Sequence, residues 1–160
     1  MITLTAVTRE NYEAILRLTV NENQKDFVAS NCRSLVQAAY EPGLNLLAIV
    51  EDDQPVGLIL YDFDEEMGGW TMSRLMIDQH FQGQGFGKQA LREFLKLFDE
   101  KYPGEVLYTS AAVDNVVAQK LYENFGFAKE EEFSYEYDGK IYKESKMKRR
   151  KEINASPTHT

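Results

Sequence analysis

The sequence predicts a mixed α/β (α+β) fold, with a mostly antiparallel central sheet of about seven strands flanked by about four helices. Three observations carry this prediction. Apolar runs of strand length recur along the chain, three of them follow one another across short acidic turns, and the others alternate with stretches of helical periodicity. The order of these elements indicates one mixed sheet with helices packed against it.

The chain opens with a strand followed by a helix. The stretch ITLTAVT alternates as a half-buried strand does, and TRENYEAILRLT has apolar residues at helical spacing with Thr8 as a candidate cap. The polar segment VNENQKDFVASN lacks a period and predicts a loop. A short helix is then expected in SLVQAAYEPG, where Pro42 and Gly43 stop it.

The middle of the chain predicts a three-stranded antiparallel meander. The stretch NLLAIVEDDQPVGLILYDFDEEMGGWTMSRLMID contains three apolar runs separated by the acidic turns EDDQP and DFDEEMGG. A helix follows in KQALREFLKLFDEKYPG, because its apolar residues fall on one stripe that ends before Pro103-Gly104.

The last third adds a strand, a helix and a hairpin. These are EVLYTSAAV, then NVVAQKLYENFGF with Gly126 at its end, and FSYEYDGKIYKESKM turned at Asp138-Gly139. A chain of 160 residues that is 43% hydrophobic fits one compact domain. We therefore expect a single domain at residues 1–149 and a polar, aperiodic, disordered tail at residues 150–160.

The body of the chain is strongly acidic. The formal net charge is −8, but five of the 18 basic residues lie in KMKRRK, residues 146–151. Before Lys146 there are 13 basic and 25 acidic residues. Such a surface repels nucleic acid and attracts polycations, although solubility alone would explain the same excess.

Metal chemistry and membrane insertion are not predicted. The single cysteine, Cys32, excludes an internal disulfide, and with His80 and His159 as the only histidines no cluster is spaced to hold zinc. No apolar run approaches the roughly 20 residues that span a bilayer, and the amino terminus has no basic region followed by an apolar block. We expect a cytoplasmic protein.

A glycine-rich stretch, MIDQHFQGQGFGKQAL at residues 76–91, joins a strand to a helix. Glycines let backbone amides approach an anion, and a helix amino terminus adds unpaired N–H groups. A nucleotide P-loop is disfavoured, because the glycine spacing is one residue short and Gln89 stands in place of the hydroxyl residue. A dinucleotide fingerprint needs G-x-G-x-x-G early in a βαβ unit, which this is not. Coenzyme A remains as the candidate ligand. The alternative is a glycine turn that has a structural role only.

A second motif follows some 28 residues after Gly87, in DNVVAQKLYENFGF. At about 100° per helical residue, Asn115, Ala118 and Tyr122 lie on one face and can line one ligand. The pair of motifs, Gln82-x-x-Gly85-x-Gly87 and N-x-x-A-x-x-L-Y-x-x-x-G-F, resembles the acetyl-CoA-binding signature of the GNAT superfamily of N-acetyltransferases. The resemblance extends over roughly residues 45–147.

This resemblance implies an acetyl-CoA-dependent N-acetyltransferase with no metal, and it assigns the coenzyme site. Backbone groups of Met76 and Ile77, on a splayed fourth strand, would meet the pantetheine and the acetyl carbonyl, and Asn115 would bond the pantetheine or phosphate arm. Tyr122 would be catalytic, with its hydroxyl beside the thioester sulfur. The loop residues expected to cradle the pyrophosphate are Gln82, Gly83, Gln84, Gly85, Phe86, Gly87 and Lys88.

The reaction needs a neutral amine. An ammonium with a pKa near 10.4 is neutral in only about one molecule in 2,500 at pH 7, which is equivalent to roughly 4.6 kcal/mol. The simplest mechanism is direct transfer, in which positioning supplies much of the rate. No glutamate in GGWTMSRLMID is placed to act as the base, so we expect water relayed to tyrosine, glutamate or backbone groups.

The amino-terminal segment NENQKDFVASNCRSLVQAAYEPG resembles that of bacterial spermine/spermidine (diamine) N-acetyltransferases. This implies a polyamine acceptor, held by Glu22, Asp26, Tyr40 and Glu41, and a homodimer. A solvated surface position would explain each of these four residues equally well. Two other functions remain as alternatives. The protein would acetylate another amine, such as an aminoglycoside, an amino acid or a protein amino terminus, or it would be a non-catalytic sensor that binds acyl-CoA.

Overall fold

The computed structural model describes residues 1–150. Seven strands and four α-helices follow one another along the chain: β1 Ile2–Ala6, α1 Tyr12–Arg17, α2 Asn31–Tyr40, β2 Asn45–Glu51, β3 Gln54–Asp64, β4 Gly69–Ile77, α3 Phe86–Lys101, β5 Leu107–Ala112, α4 Val116–Asn124, β6 Phe127–Tyr137 and β7 Lys140–Arg149. Single 3₁₀ turns lie at Glu22–Gln24 and Gln79–Phe81. The tail predicted at 150–160 lies, apart from Arg150, outside the described residues.

All seven strands form one sheet in the order β1-β2-β3-β4-β5-β7-β6. Neighbouring strands are antiparallel except β4 and β5, which are parallel. The predicted fold class is therefore confirmed. The last strand within residues 1–150, β7, lies between β5 and β6, which leaves β1 and β6 as the edges of the described sheet.

The predicted hairpin turns are present. Asp138 and Gly139 both have positive φ angles, 51° and 76°, as a two-residue turn that follows the twist of the strands requires. The turn between β2 and β3 uses Asp52 and Asp53 in the same left-handed region. Aspartate tolerates that region better than most residues, because its short polar side chain bonds locally.

The first helix differs from the prediction. It begins at Tyr12 with Asn11 in the cap position, so the prediction of Thr8 as its cap is wrong. Thr8 instead starts the preceding turn, where its amide donates to Asn11 Oδ1 at 2.7 Å. The second helix begins at Asn31, three residues earlier than predicted, because the Ser30 hydroxyl accepts a hydrogen bond from the Arg33 amide.

The sheet carries a core on each face. The larger core packs α3 and α4 against one face and contains Met72, Phe94 and Tyr122. The smaller core packs α1 and α2 against the other face and contains Ile15, Leu58 and Met76. Because side chains alternate along a strand, each strand residue is assigned to one of these two faces. Within residues 1–150, no helix is both long enough and apolar enough to cross a membrane.

Candidate active site

The central strands β4 and β5 separate after a short contact. Within the described chain they pair only at Thr71–Tyr108 and Met72–Thr109, and the Thr109 hydroxyl donates to the Met72 carbonyl at 2.8 Å. Ser73 is an extra residue in β4, because Tyr61 of β3 pairs with Met72 whereas Leu60 pairs with Arg74. Such a bulge bends its strand. A wedge therefore opens between the two strands beyond Met72 and Thr109.

The glycine loop lies between the end of β4 and the start of α3. Gly83 and Gly85 have φ angles of 78° and 81°, which favour glycine, and Gly85 is the cap residue of α3. The first N–H groups of a helix have no intrahelical acceptor. The loop thus presents a row of unpaired amides at the positive end of a helix of 16 residues, an arrangement that fits a diphosphate.

The Gln82 side chain is held within the protein. Its amide nitrogen donates to Gln24 Oε1 and to the Ile77 carbonyl, each at 2.9 Å. Its oxygen accepts from Asn21 and Gln24, at 3.2 and 3.1 Å. Gln82 therefore joins the 3₁₀ turn at Glu22–Gln24 to the end of β4, and its predicted contact with the coenzyme stays a prediction.

Met76 and Ile77 lie at the end of β4, beyond its last pair with β5. The Met76 carbonyl approaches Gly57 of β3 so closely that a Cβ on that glycine would lie 2.2 Å from the oxygen. Gly57 is therefore needed for this approach of β3 to β4. The Ile77 carbonyl is already occupied by Gln82.

Asn115 and Tyr122 lie at opposite ends of α4. Asn115 caps the helix, with its Oδ1 accepting from the Ala118 amide at 3.2 Å. Tyr122 is buried on the α3/α4 face, its ring 5.6 Å from that of Phe127. Burial raises the pKa of Tyr122 to about 12; the Thr109 hydroxyl opposes this rise and the Glu144 carboxylate adds to it.

A cavity of about 880 Å³ lies on the opposite, α1/α2 face of the sheet. Thr71 and Ser73 of β4, Ser110 of β5 and Glu144 of β7 form its floor at the start of the wedge. Residues 25–30 and the β6–β7 hairpin form its walls. The glycine loop and Tyr122 thus lie on one side of the wedge, and this cavity lies on the other.

Glu144 was not identified from the sequence. Its carboxylate accepts a hydrogen bond from the Ser110 hydroxyl at 2.6 Å, and the residue is 9% exposed. Burial raises the pKa of this carboxyl group, and the Ser110 hydrogen bond partly opposes the rise. In the sequence Glu144 lies in a lysine-rich strand that resembles a surface strand, and only the placement of β7 inside the sheet buries it.

Two arginines also line the cavity. Arg74 donates to the Ser34 hydroxyl at 2.9 Å, and the Arg33 guanidinium lies 3.8 Å from the centre of the Tyr137 ring. Neither forms an ion pair within 4.0 Å among residues 1–150. Burial and the charge of Arg33 lower the pKa of Arg74.

Of the four residues predicted to hold the acceptor, Asp26 lines the cavity, where it pairs with Lys140 at 2.6 Å. Glu22 pairs with Lys25 at 2.7 Å, and Tyr40 is 84% exposed at the end of α2. Glu22, Tyr40 and Glu41 are absent from the cavity wall. No group of three histidine, cysteine, aspartate or glutamate side chains in residues 1–150 could hold a metal ion.

Comparison with known protein families decides the class. A model of the acetyltransferase (GNAT) family matches residues 9–127. The chain belongs to the GNAT family. This GNAT protein is therefore an acyltransferase, and the family's acetyl donor is acetyl-CoA.

Curated relatives narrow the comparison. The chain is 32% identical over 136 residues to the spermine/spermidine N(1)-acetyltransferase of Bacillus subtilis strain 168, covering 79% of this chain and 87% of the relative. A second relative, from strain BEST195 of Bacillus subtilis subsp. natto, has the same identity over a span of the same length.

Solved structures share the fold. The spermidine N-acetyltransferase of Vibrio cholerae, in complex with CoA and spermine, has a TM-score of 0.70 and 20% identity, covering 93% of this chain and 95% of that one. The ribosomal-protein-S18-alanine N-acetyltransferase of Escherichia coli has a TM-score of 0.71 and 13% identity, with 100% of both chains covered. At these identities, the likeness concerns the fold alone.

Proposed function

We propose that this GNAT acetyltransferase moves the acetyl group of acetyl-CoA to a primary amine of a polyamine, such as spermidine or spermine, by direct transfer. The observation that carries the proposal is the cavity on the α1/α2 face, which meets the wedge. Five carboxylates line it, against four cationic side chains: Asp26, Asp64, Glu66, Glu131 and Glu144, against Lys25, Arg33, Arg74 and Lys146. The 32% identity to a spermine/spermidine acetyltransferase supports the same acceptor.

The aromatic wall of this cavity suits the rest of a polyamine. The rings of Phe133, Tyr135 and Tyr142 stack in sequence along the hairpin, with centroids 6.3 and 5.3 Å apart. Ring faces attract ammonium groups and pack against the methylene segments between them. Carboxylates and aromatic rings together therefore suit a polyamine, a flexible chain in which ammonium groups alternate with methylene segments.

The coenzyme would bind on the opposite side of the wedge. The amides at residues 83–88 would hold the diphosphate, and Met76, Ile77 and Asn115 would line the path of the pantetheine. When bound, acetyl-CoA supplies the acyl group as a thioester. Cys32, the single cysteine, does not line the acceptor cavity, which supports transfer without a cysteine intermediate.

Tyr122 would donate a hydrogen bond to the sulfur. A coenzyme thiolate resembles a cysteine thiolate with a pKa near 8.5, so full proton transfer from a tyrosine with a pKa of about 12 is uphill by about 5 kcal/mol. The hydroxyl therefore keeps its proton until the carbon–sulfur bond breaks. Its contribution is a hydrogen bond that strengthens as charge develops on sulfur.

An acceptor panel tests the proposal. We expect CoA release with spermidine or spermine to have a kcat/KM at least about tenfold above that with butylamine, because each further carboxylate–ammonium contact contributes about 1 kcal/mol or more. Kanamycin, amino acids and a peptide amino terminus complete the panel. Equal or lower activity with the polyamines would overturn the assignment of the acceptor, and acetyl-CoA binding without turnover on any amine would indicate a sensor.

Arg33 and Arg74 favour a second candidate, an amine that also carries an anionic group, such as an amino acid. Two guanidinium groups without a carboxylate partner among residues 1–150 would repel a polyamine and attract a carboxylate. Arg74→Gln separates the candidates. The substitution should raise kcat/KM for a polyamine acceptor and lower it for an amino acid.

The proposal includes a homodimer in the cytoplasm that binds neither nucleic acid nor membranes. Val36 and Tyr40 are 53% and 84% exposed on α2 and offer apolar area to a second copy. The net charge of −8 opposes association with polyanions. Light scattering measures the oligomeric state, and a monomer at all concentrations would contradict that part of the proposal.

A further inference from the structure

Ser110 and Glu144 lie where β5 leaves β4. Thr109 makes the last contact with β4, and Ser110 is the next residue of β5, with its side chain on the cavity face. Glu144 of β7 lies opposite Ala112, on the same face, and its carboxylate reaches back to the Ser110 hydroxyl at 2.6 Å. Tyr122 approaches the same level of β5 from the other face, beside Thr109.

We propose that Glu144 accepts the proton that the acceptor ammonium loses before it attacks the thioester, and that Ser110 is a positioning residue that orients the carboxylate. This inference rests on the proposed function in requiring an amine acceptor, but it does not depend on which amine is the substrate.

The proton balance is complete with groups already present. Glu144 takes one proton from the ammonium, which leaves a neutral amine with a lone pair, and later releases this proton to water. One carbon–nitrogen bond then forms as one carbon–sulfur bond breaks. The nitrogen sheds a second proton, which reaches the sulfur through the Tyr122 hydroxyl, so the products are an amide, a thiol and one released proton.

Burial makes this transfer easier than it is in water. With reference pKa values near 10.4 and 4.3, proton transfer from an ammonium to a carboxylate is unfavourable in water by about six orders of magnitude. In a desolvated site the same step replaces two charges by two neutral groups, which burial favours. The raised pKa of Glu144 is the part of this effect that belongs to the carboxylate.

The other carboxylates of the cavity are less suited to this role. The side chains of Asp26 and Glu131 are 67% and 65% exposed and pair with Lys140 and Lys146, respectively. Asp64 accepts the backbone amides of Glu66 and Met67, at 2.9 and 3.3 Å. Glu144 combines burial with a position on the floor of the cavity.

Several titratable or charged groups share the surroundings of Glu144 and contribute to its titration. They are Arg33 of α2, Arg74 of β4, Tyr122 of α4, Glu131 and Tyr135 of β6, and Tyr142 and Lys146 of β7 itself. Burial raises the pKa of Tyr122 and that of Tyr135, and the charge of Glu144 raises both further. Both tyrosines remain protonated while Glu144 titrates, so the acidic limb of activity belongs to the carboxyl group.

The test is the pH profile of Glu144→Gln, which keeps the size of the side chain and an acceptor for Ser110. At pH 7 we expect kcat to fall by about 100-fold or more. The variant depends on amine that is already neutral, so its kcat/KM should rise about tenfold per pH unit and approach that of the unsubstituted enzyme near the amine pKa of about 10.4. Parallel profiles for the two proteins would overturn the inference.

Three further measurements keep the test decisive. Glu132→Gln, on the neighbouring exposed strand, is the matched control and should leave the profile unchanged. Glu144→Asp retains a carboxylate and should keep the shape of the pH profile at a lower rate. This variant tests the same role if Glu144→Gln folds poorly. Ser110→Ala removes the hydrogen bond that favours the carboxylate, so the acidic limb should move to higher pH.

Two readouts do not depend on turnover. A carbon-13 NMR titration of glutamate carboxyl groups should show one signal with a raised pKa that disappears in Glu144→Gln, and calorimetry should show unchanged acetyl-CoA binding in that variant. If the unsubstituted enzyme acetylates no amine, the proposed function fails. If it acetylates amines and the variant matches it at every pH, only the role of Glu144 fails.

Discussion

Tyr122 keeps its proton over the working pH range, because its pKa lies near 12. Replacement by phenylalanine removes the hydroxyl while leaving the ring in its packing against Phe127. We expect Tyr122→Phe to lower kcat by about 100-fold and to leave acetyl-CoA affinity nearly unchanged. Stopped-time CoA release and calorimetry measure the two quantities.

The control for this substitution is Tyr12→Phe, a 41% exposed position on α1 that should keep full activity. The free energy of unfolding of Tyr122→Phe should fall by about 1 kcal/mol, because the interaction with the Thr109 hydroxyl is lost. Full kcat in a stably folded variant would contradict the role of the hydroxyl.

Glu144 should make stability depend on pH. Its pKa is raised in the folded protein, so the folded state holds this proton at pH values where the unfolded chain has released it. The contribution of Glu144 to stability is therefore fully present below the ordinary pKa of 4.5 and is lost as the pH rises through the folded pKa. The Glu144→Gln variant has no carboxyl group at this position, so it should not lose stability in this pH range.

Thermal unfolding checks this prediction. The melting temperature of Glu144→Gln should match that of the unsubstituted protein near pH 4 and exceed it at pH 7 and above. A substitution that lowers activity while raising stability is expected of a charged group buried for function. A constant difference between the two proteins at all pH values would exclude this linkage.

At the scale of the elements, the approach of β3 to β4 depends on Gly57. A Cβ at this position would lie 2.2 Å from the Met76 carbonyl and 3.0 Å from side chains of Ile49 and Ile77. Gly57→Ala should therefore displace the end of β4, costing about 1–3 kcal/mol in the free energy of unfolding. Acetyl-CoA affinity should weaken as well, because the displaced segment lines the wedge.

Urea unfolding and calorimetry measure these two effects. Gly43→Ala offers a comparison, because Gly43 has a φ angle of 89° and its added Cβ would meet open space. That variant should lose about 1 kcal/mol from backbone strain and keep its coenzyme affinity. Unchanged coenzyme affinity in Gly57→Ala would show that the close approach does not shape the site.

Local patterns explain which elements the sequence predicted well. The glycine loop and the Asp138-Gly139 turn were predicted because backbone conformation there depends on adjacent residues. The error at Thr8 was also local, since Asn11 lies three residues later and takes the cap position. Some predicted boundaries differ from those in the structure, but the predicted number and order of strands and α-helices agree with it.

The cavity proposed to hold the acceptor was harder to predict because it is assembled from distant parts of the chain. Glu144 meets Ser110 only because β7 inserts between β5 and β6, and no local pattern encodes that order. Arg74 faces Ser34 across a separation of 40 residues. The predicted set was instead drawn from one contiguous segment, in which Glu22 pairs with its neighbour Lys25.

At the scale of the whole molecule, the net charge of −8 should affect the capture of cationic substrates. Long-range attraction weakens when the Debye length falls from about 20 Å to a few ångströms with added salt. Between about 20 mM and about 500 mM NaCl, we expect kcat/KM for spermidine to fall by roughly tenfold and that for butylamine by roughly twofold. Equal salt dependence for the two amines would show that the surface charge serves solubility alone.

The sheet separates the glycine loop from the acceptor cavity, and the gap between β4 and β5 connects them. In the proposed arrangement each reactant enters from its own side of the sheet, so neither must leave before the other binds. Initial-rate plots at several fixed amine concentrations should therefore intersect, as a ternary complex requires, in contrast to the parallel lines of a ping-pong cycle. The two products can likewise depart through separate exits, in either order.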